Sequence, residues 1–269
     1  MLNAFYAGVK AVNSDNQVVS AGTAPYGDPP GGIRSRPLAF LRDMLCLDPE
    51  LNATACPEKA AFDILAHHPI NTSGGPKLSA GHPDDASSPD FKHVVEVLRA
   101  AEKAGTTGSG GRHRAWATEL WWESDPPDGE EGIPLKRHAR YIEQALYLLW
   151  RGGASVVINL QLQDAVFDAE SPFEADATGV LFADGSPKPA LTAFRFPFVA
   201  DRTGRELLFW GKSPRAGKLA IQRKRGKRWR TEKRLRVREG QVFTRKLRAG
   251  RGKFRARLGG EKSLVWKQR

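Results

Sequence analysis

Three segments of this chain end in side chains that can do chemistry. The first ends at His67–Pro69, the second runs over Trp116–Glu123, and the third ends at Asn159–Asp164. Glu119, in the second segment, is the sharpest signal, because a carboxylate at the end of a buried strand among tryptophans suits carbohydrate chemistry. Apolar sugar faces stack on aromatic rings, and a carboxylate can attack an anomeric carbon. In the alternative interpretation, Glu119 pairs with a neighbouring arginine and the tryptophans belong to the core.

The histidines at the first strand end also have two interpretations. His67 and His68 can orient a carboxylate or contact a sugar hydroxyl, or they can be structural hydrogen-bonding groups. A zinc site is not expected, because the histidines from His67 to His113 contain no HExxH pattern and the two cysteines match no zinc motif. There is also no phosphate-binding loop or nucleophile elbow. We therefore expect neither a metal ion nor an organic cofactor.

Alternating strand and helix patterns over residues 1–200 must position these groups. Apolar periodicity, a Ser-Pro-Asp helix start and terminal glycines predict helices over residues 2–12, 37–45, 88–104 and 135–151. Short apolar runs predict strands over residues 17–21, 62–67, 116–120 and 155–160. Repeated βα units predict an α/β fold with a parallel sheet, in which ligand sites form at the carboxyl ends of the strands. The three chemistry-bearing segments all lie at such ends.

Charge is divided very unevenly along the chain. The net charge is +12, but residues 201–269 contain 25 Lys and Arg against 5 Asp and Glu, whereas residues 1–200 carry a net charge of −8. Such asymmetry predicts two units with different surfaces. We therefore expect one domain over residues 1–200 and a second over residues 201–269.

Short strands separated by glycines are predicted in the second of these domains. They lie at residues 206–210, 218–223, 229–237, 242–247, 253–258 and 263–266. This pattern is typical of a small antiparallel β-sandwich. Lys and Arg alternate with apolar residues, which gives either a solvated basic face or an anchor for an anionic polymer such as an acidic polysaccharide. Nucleic acid fits the charge as well, but no recognised nucleic-acid motif is present, so we do not expect it as a partner.

Four segments together resemble glycoside hydrolase clan A, a group of (β/α)8 barrels that includes cellulase-like and β-xylosidase-like enzymes. The segments are Phe62–Pro69, Trp116–Trp122, Ser155–Asp164 and Gly179–Ala190. In that clan the motif Trp-x-Thr-Glu closes the seventh strand, and its Glu is the nucleophile. Residues 116–119 match the motif, so the resemblance implies that Glu119 is the catalytic nucleophile.

The resemblance also implies substrate contacts, although it is incomplete. His68, Trp121 and Trp122 are expected to line the sugar subsites, with Gln161 as a further contact. The clan's sixth strand often ends in a His-Pro-Tyr-like turn, but Ile70 stands here in place of the Tyr. The eighth strand often carries a Trp near its end, and the corresponding region of this chain offers Gln161 instead.

Aligned on the clan, the four predicted strands are strands five to eight of the barrel. A full barrel takes about 250 residues, so the first four strands are expected to be missing. The clan also carries an Asn-Glu pair at the end of strand four, whose Glu is the general acid/base, and this sequence contains no such pair. The expected fold is the C-terminal half of a TIM (β/α)8 barrel followed by a small all-β sandwich. We expect the chain to be the downstream part of a longer protein.

The expected function is that of a retaining glycoside hydrolase that acts on a polysaccharide or oligosaccharide. Without its acid/base Glu, this chain alone is expected to be inactive or slow. The alternative is a non-catalytic secreted protein that binds a carbohydrate or an anionic polymer. No apolar run approaches the length of about 18 residues that predicts a membrane span. The first residues lack the basic start and apolar stretch that are typical of a signal peptide.

The two cysteines indicate where the protein works. Cys46 and Cys56 flank a short loop that follows a predicted helix, and we expect them to form a disulfide. Two buried free thiols are the alternative. Because disulfides persist in oxidising compartments, the full-length parent protein is expected to be secreted or extracellular.

Overall fold

The computed structural model describes residues 1–71, 74–168, 170 and 176–268. The chain forms two compact units, the first made of Met1–Trp121 and Leu148–Leu160 and the second of Trp122–Tyr147 and Gln161–Arg269. Among the described residues, no helix has both the length and the apolar character needed to cross a membrane.

The structure contains both helices and sheets. The helices are α1 Leu2–Val12, α2 Pro37–Met44, α3 Phe91–Ala104, α4 Leu135–Arg151 and α5 Pro189–Arg195, and a 3₁₀ turn spans Ser88–Asp90. The strands are β1 Ile64–His67, β2 Arg114–Leu120, β3 Ser124–Asp125, β4 Ile133–Pro134, β5 Val156–Asn159, β6 Phe198–Thr203, β7 Glu206–Lys212, β8 Gly217–Arg225, β9 Arg228–Val237, β10 Val242–Leu247, β11 Gly252–Leu258, β12 Glu261–Lys262 and β13 Trp266–Gln268. The α/β character expected of the first part of the chain is confirmed.

A parallel sheet forms the centre of the first unit. Its strands follow the order β1-β2-β5, and both neighbouring pairs are parallel. The segment before β1 adds only two isolated parallel bridges, from Val19 to Ile64 and from Thr23 to His67. The strand expected at residues 17–21 is therefore present as an extended edge segment rather than as a full strand.

Helix α3 follows from clear local signals. Ser87 and Asp90 form a capping box, in which the Asp90 carboxylate accepts the Ser87 backbone N–H at 3.2 Å. The helix ends at Gly105, whose left-handed conformation (φ 67°) suits a residue without a Cβ. Phe91 is fully buried, and its ring centroid lies 6.2 Å from that of His67 in β1. The helix is thereby packed against the strand that leads into the chemistry-bearing residues.

Burial differs between the strands of the parallel sheet. All four residues of β1 are buried, as expected for a central parallel strand with an almost entirely apolar sequence. In β5, by contrast, Val156 and Val157 are half-buried and Ile158 is 44% exposed. The disulfide expected between Cys46 and Cys56 is present just after α2, with the two Cα atoms 5.7 Å apart.

Two antiparallel sheets dominate the second unit. One has three strands in the order β10-β7-β6, and the other has the order β12-β11-β8-β9 with β13 also paired to β11. The sheets contact each other through a row of buried rings: Phe209 lies 5.9 Å from Phe198 and 5.1 Å from Phe254. Most expected strands are present, but residues 263–266 are not one strand, because β12 and β13 lie on either side of Ser263–Val265.

Helix α4 packs on these antiparallel strands over its length up to Tyr147. The hydroxyl of Tyr147 donates to Asp201 at 3.0 Å, and the Tyr147 ring lies 5.6 Å from that of Trp210. The Arg140 guanidinium lies over the ring of Trp266, 4.1 Å from its centroid. These contacts explain why residues 122–147 belong to the same compact unit as the C-terminal strands.

A fully buried ion pair connects the loop that contains Asp164 to Lys188, the residue that precedes helix α5. The ammonium of Lys188 lies 2.7 Å from the Asp164 carboxylate, and neither side chain is exposed to solvent. Lys188 also donates to Ser124 Oγ at 2.8 Å and to the Ala177 carbonyl at 3.0 Å. The Gly179 N–H donates to Asp164 at 2.8 Å. A buried charge pair needs further hydrogen bonds to offset its desolvation. These contacts satisfy the ammonium and Asp164 Oδ1, whereas Asp164 Oδ2 is balanced by the nearby ammonium alone.

Candidate functional site

Parallel pairing of β1 and β2 brings two of the expected site residues together. His67 pairs with Ala117, so His68 follows the end of β1 while Glu119 lies near the end of β2. The distance between His68 Nδ1 and Glu119 Oε2 is 3.4 Å. Because both residues lie at the carboxyl ends of parallel strands, they occupy the edge of the sheet where ligand sites form.

The carboxylate of Glu119 is held on both sides but remains accessible. Oε1 accepts a hydrogen bond from the indole Nε1–H of Trp121 at 3.0 Å, and Oε2 faces His68. The Glu119 side chain is 30% exposed. The indole hydrogen bond fixes the orientation of the carboxylate, and the exposed fraction leaves space for an approaching ligand.

The position of His68 depends on its neighbours in the preceding segment. Its backbone N–H donates to the Thr23 carbonyl at 3.0 Å, and Thr118 Oγ1 lies 3.5 Å from Nδ1. The imidazole lies against the backbone of Gly22: an added Cβ there would be 2.6 Å from the ring atom Cε1 and 2.7 Å from Cδ2. A glycine at position 22 is therefore required for His68 to occupy its place beside Glu119.

The adjacent histidine has a different role. His67 is fully buried, with Nε2 2.7 Å from the Ala86 carbonyl and Nδ1 2.8 Å from Thr23 Oγ1. Burial lowers the pKa of His67 to about 4, so the ring is neutral at physiological pH. A carbonyl can only accept, so the proton lies on Nε2 and the Thr23 hydroxyl donates to Nδ1. His67 thus joins the sheet to the loops, and the Thr118 hydroxyl donates to its carbonyl at 3.2 Å.

Two of the expected site residues, His68 and Trp121, lie in the same compact unit as Glu119 and contact its carboxylate. Trp121 belongs to the cluster with Glu119 and His68. Trp122 and Gln161 belong to the second compact unit. Trp122 is only 7% exposed, and its ring packs edge-on against Tyr141 at 5.4 Å, so little of it is open to a ligand. Gln161 is half-buried.

A pocket of about 140 Å³ also lies in the first unit, within the loops that follow residue 23 and strand β1. Tyr26, Asn71 and Asp85 are among its lining residues. Asp85 is held by the Gly27 N–H at 3.1 Å and by Arg36 at 2.7 Å, so this wall is preorganised. The cavity has room for several water molecules or one small polar molecule. Sequence reasoning did not identify this pocket; the only signal was the unusual length of the two loops.

The chemistry available at the cluster is that of a positioned carboxylate. An ionised Glu119 can act as a nucleophile or can stabilise a developing positive charge at an adjacent carbon. Within the part of the chain that the structure describes, no group of three or more His, Cys, Asp or Glu is placed to hold a metal ion.

Comparison with known proteins gives structural likenesses at low identity. No protein-family model matches the chain, and no curated protein matches it in sequence. An FMN-binding β-glucuronidase from Facaelibacterium prausnitzii L2-6 is similar with a TM-score of 0.35 and 10% identity, over 77% of this chain and 32% of that chain. A GH30 endoxylanase from Clostridium papyrosolvens C71 is similar with a TM-score of 0.36 and 10% identity, over 89% of this chain and 55% of that chain. The chain thus spans about one third and about half the length of these two proteins.

Proposed function

We propose that this chain carries the nucleophile-bearing half of a retaining glycoside hydrolase of clan A type. In this proposal residues 1–200 form strands five to eight of a (β/α)8 barrel, and residues 201–269 form a basic β-sandwich accessory domain. The observation that carries the proposal is the carboxylate of Glu119. It is partly exposed at the end of a parallel strand and is held by His68 and Trp121.

The order of the parallel segments supports the barrel part of the proposal. The edge segment containing Val19 and Thr23 is followed by β1, β2 and β5, and each lies beside its predecessor in the chain. Consecutive strands of a (β/α)8 barrel are arranged in this way. The Thr of the Trp-x-Thr-Glu motif also has a structural role. The hydroxyl of Thr118 donates a hydrogen bond to the His67 carbonyl on the neighbouring strand.

The proposed reaction begins with attack by Glu119 on the anomeric carbon of a bound sugar. A bond forms between that carbon and a carboxylate oxygen, while the bond to the leaving oxygen breaks and that oxygen keeps the electron pair. Water then cleaves the glycosyl ester, which releases the sugar and restores the carboxylate. Trp121 holds Oε1 of the carboxylate and His68 lies beside Oε2, so the attacking group has a fixed orientation at the end of the strand.

The leaving oxygen needs a proton, and the sequence contains no Asn-Glu pair to supply the clan's acid. General acid catalysis is commonly worth 10²–10⁴-fold, so natural substrates with poor leaving groups are expected to react very slowly with this chain. A substrate whose leaving group departs as a stable anion does not depend on the acid. The proposed substrate class is a polysaccharide or oligosaccharide, and the Cys46–Cys56 disulfide supports action in an oxidising, extracellular setting.

A single-turnover assay with activated substrates tests the proposal. Dinitrophenyl β-xylosides and β-glucosides are mixed with excess protein, and release of dinitrophenolate is followed by absorbance. Glu119→Gln keeps the size of the side chain but removes the attacking charge, so the rate is expected to fall by roughly a thousandfold or more.

Glu130→Gln is the matched control for this assay, because Glu130 is exposed and, among the described residues, is bonded through its backbone N–H to Asp128 rather than through its side chain. The control is expected to react like the unaltered chain. Equal rates for the unaltered chain and Glu119→Gln would exclude Glu119 as the nucleophile.

A further inference from the structure

The five-stranded sheet of the second unit has one face with an apolar centre and one face on which every paired charged side chain is a cation. Residues that pair across an antiparallel ladder point to the same face. Leu219 pairs with Leu235 on β9 and with Leu258 on β11, and Leu219 and Leu258 are buried. Ile221, which pairs with Ala256, is buried on the same side. The residues between them in sequence therefore point to the opposite face, which we call the basic face.

Strands β8 and β9 contribute four cations to the basic face. On β8 the outward positions carry Lys218 and Lys224, and on β9 they carry Arg234 and Arg236. All four are exposed to solvent. Ala220, which lies between Lys218 and Lys224, pairs with Arg234 on one side and with β11 on the other.

The remaining strands of the sheet extend the same surface. The outward residues of β11 are Lys253, Arg255 and Arg257. On the short strands, Lys262 of β12 pairs with Arg257, and Lys267 of β13 pairs with Lys253. No acidic residue occupies a paired outward position on this sheet. Within the described residues, none of the nine cations of the basic face makes an ion pair.

Several of these cations face one another directly across the ladder. Lys218 pairs with Arg236, and Arg257 pairs with Lys262. Lys253 likewise pairs with Lys267. Like charges in directly opposite positions destabilise a sheet. Neither core packing nor local ion pairing explains the arrangement, whereas binding of an anionic chain would compensate for the repulsion.

At the centre of the basic face, neighbouring side chains hold the cation of Arg255 in a fixed orientation. The Arg255 guanidinium stacks on the ring of Trp229, 4.1 Å from its centroid, and its Nε donates to Gln222 at 2.9 Å. A guanidinium fixed in this way presents its planar edge to a carboxylate in a defined orientation. Gln222 is buried and serves to hold Arg255, whereas the half-buried Trp229 offers its edge as an apolar contact for a sugar ring.

We propose that the basic face binds a linear acidic polysaccharide that carries carboxylates on successive sugars. The sheet spaces its side chains about 4.8 Å apart across strands and about 6.7 Å apart along them, which gives a dense grid of positive charge. The choice of a polysaccharide over another polyanion rests on the proposed function. It is also favoured by Arg255, which covers one face of Trp229 and closes it to a stacked nucleobase.

Binding of polygalacturonate to the full chain tests this proposal. The affinity is measured at low and at physiological ionic strength, with neutral xylan and single-stranded DNA as comparison polymers. We expect polygalacturonate to bind at low salt, to weaken as salt screens the contacts, and to bind more tightly than the DNA. Neutral xylan should not bind through this face. Tighter binding of the DNA, or no binding of polygalacturonate, would overturn the proposal.

Two double variants with the same net charge locate the binding site. Arg234→Gln with Arg257→Gln removes the two cations that flank Ala220 on the basic face. Arg202→Gln with Arg205→Gln removes two exposed cations from the β6–β7 hairpin of the other sheet. The first variant should weaken polygalacturonate binding roughly tenfold and the second less than about twofold. Equal weakening would show that overall charge, not this face, attracts the polymer.

Glu119→Gln separates this proposal from the proposed catalytic function. Because Glu119 lies in the first compact unit and contributes nothing to the basic face, this variant should bind polygalacturonate with unchanged affinity. If dinitrophenyl glycosides do not react but the basic-face variant still loses binding, the catalytic proposal fails and the binding surface stands.

Discussion

Gly22 determines whether His68 can lie beside Glu119, so a single methyl group can test the geometry of the site. In Gly22→Ala the new Cβ would overlap the imidazole, so the ring has to leave its present position beside the carboxylate. A displacement of this kind is expected to slow single-turnover release of dinitrophenolate by roughly ten- to a hundredfold.

Gly8→Ala is the matched control for that substitution. Gly8 lies in helix α1, and no atom lies within 4 Å of its would-be Cβ. This control should leave the rate unchanged and stabilise the helix slightly, because Ala is a better helix former than Gly. An unaltered rate in Gly22→Ala would show that the position of His68 does not matter to the carboxylate.

Acid is expected to destabilise the protein through His67. Its pKa is lowered from 6.5 to about 4, with burial as the main cause. As the pH falls below the unfolded value, the unfolded chain binds a proton that the folded chain does not, so stability present at neutral pH is lost between these two pKa values. A shift of this size corresponds to roughly 3 kcal/mol.

Urea unfolding at neutral pH and near the folded pKa measures this contribution. His67→Gln should be less stable than the unaltered chain at neutral pH but should lose less stability on acidification. His93→Gln, at an exposed position on helix α3, should show the same loss as the unaltered chain. Equal losses in all three proteins would contradict a buried neutral imidazole at position 67.

At the residue scale, the sequence pointed to Glu119 and to a pair of histidines, but it could not distinguish the roles of His67 and His68. Consecutive residues at a strand end point in different directions, and only the register with β2 shows which one reaches the carboxylate. The importance of Gly22 was equally hidden, because a close approach between distant segments leaves no local pattern.

At the element scale, Lys188 connects the loop after β5 to the start of helix α5. Lys188→Met would leave the Asp164 carboxylate buried without its counter-ion, which is expected to cost about 3–5 kcal/mol of unfolding free energy. Burial already raises the pKa of Asp164 against the opposing influence of Lys188. Thermal and urea unfolding of the full chain measure the loss.

Two further variants show whether the pair itself is responsible. Lys212→Met makes the same chemical change at an exposed position at the end of β7 and should alter stability by no more than about 0.5 kcal/mol. The double variant Lys188→Met with Asp164→Asn also removes the unpaired buried carboxylate charge, and it should recover part of the lost unfolding free energy. A Lys188→Met protein as stable as Lys212→Met would contradict the importance of the buried ion pair.

Helices were the elements best predicted from sequence. Helix α1 has the bounds that apolar periodicity indicated, and α4 has the bounds that periodicity and the following glycines indicated, because these signals are local. Strand β6 was missed, since the sequence FVADRT lacks a clear alternation and pairs only through β7. The packing of α4 on the C-terminal strands was also missed. That packing depends on Tyr147 and Arg140 meeting residues far away in sequence.

At the scale of the whole molecule, the excess of basic residues and the candidate catalytic residues lie in different parts of the chain. The excess of Lys and Arg after residue 200 could be counted from the sequence, and its alternation with apolar residues predicted outward-pointing cations. Cross-strand pairing adds what the count could not give: cations from β8, β9 and β11–β13 fall on one face, and no acidic residue occupies a paired position on that face. The two proposals therefore rest on different units of the chain, the binding proposal on the second unit and the catalytic proposal on the first.

Covalent trapping of the nucleophile tests the central claim most directly. A dinitrophenyl 2-deoxy-2-fluoro glycoside has a leaving group that departs without an acid, and its fluorine slows hydrolysis of the glycosyl ester. After incubation with the 269-residue chain, digestion and mass spectrometry should find one fluoroglycosyl group on the peptide that contains Glu119, and none in Glu119→Gln. A label on Glu123 or any other carboxylate, or no label from either xylosides or glucosides, would contradict the assignment of Glu119 as the nucleophile.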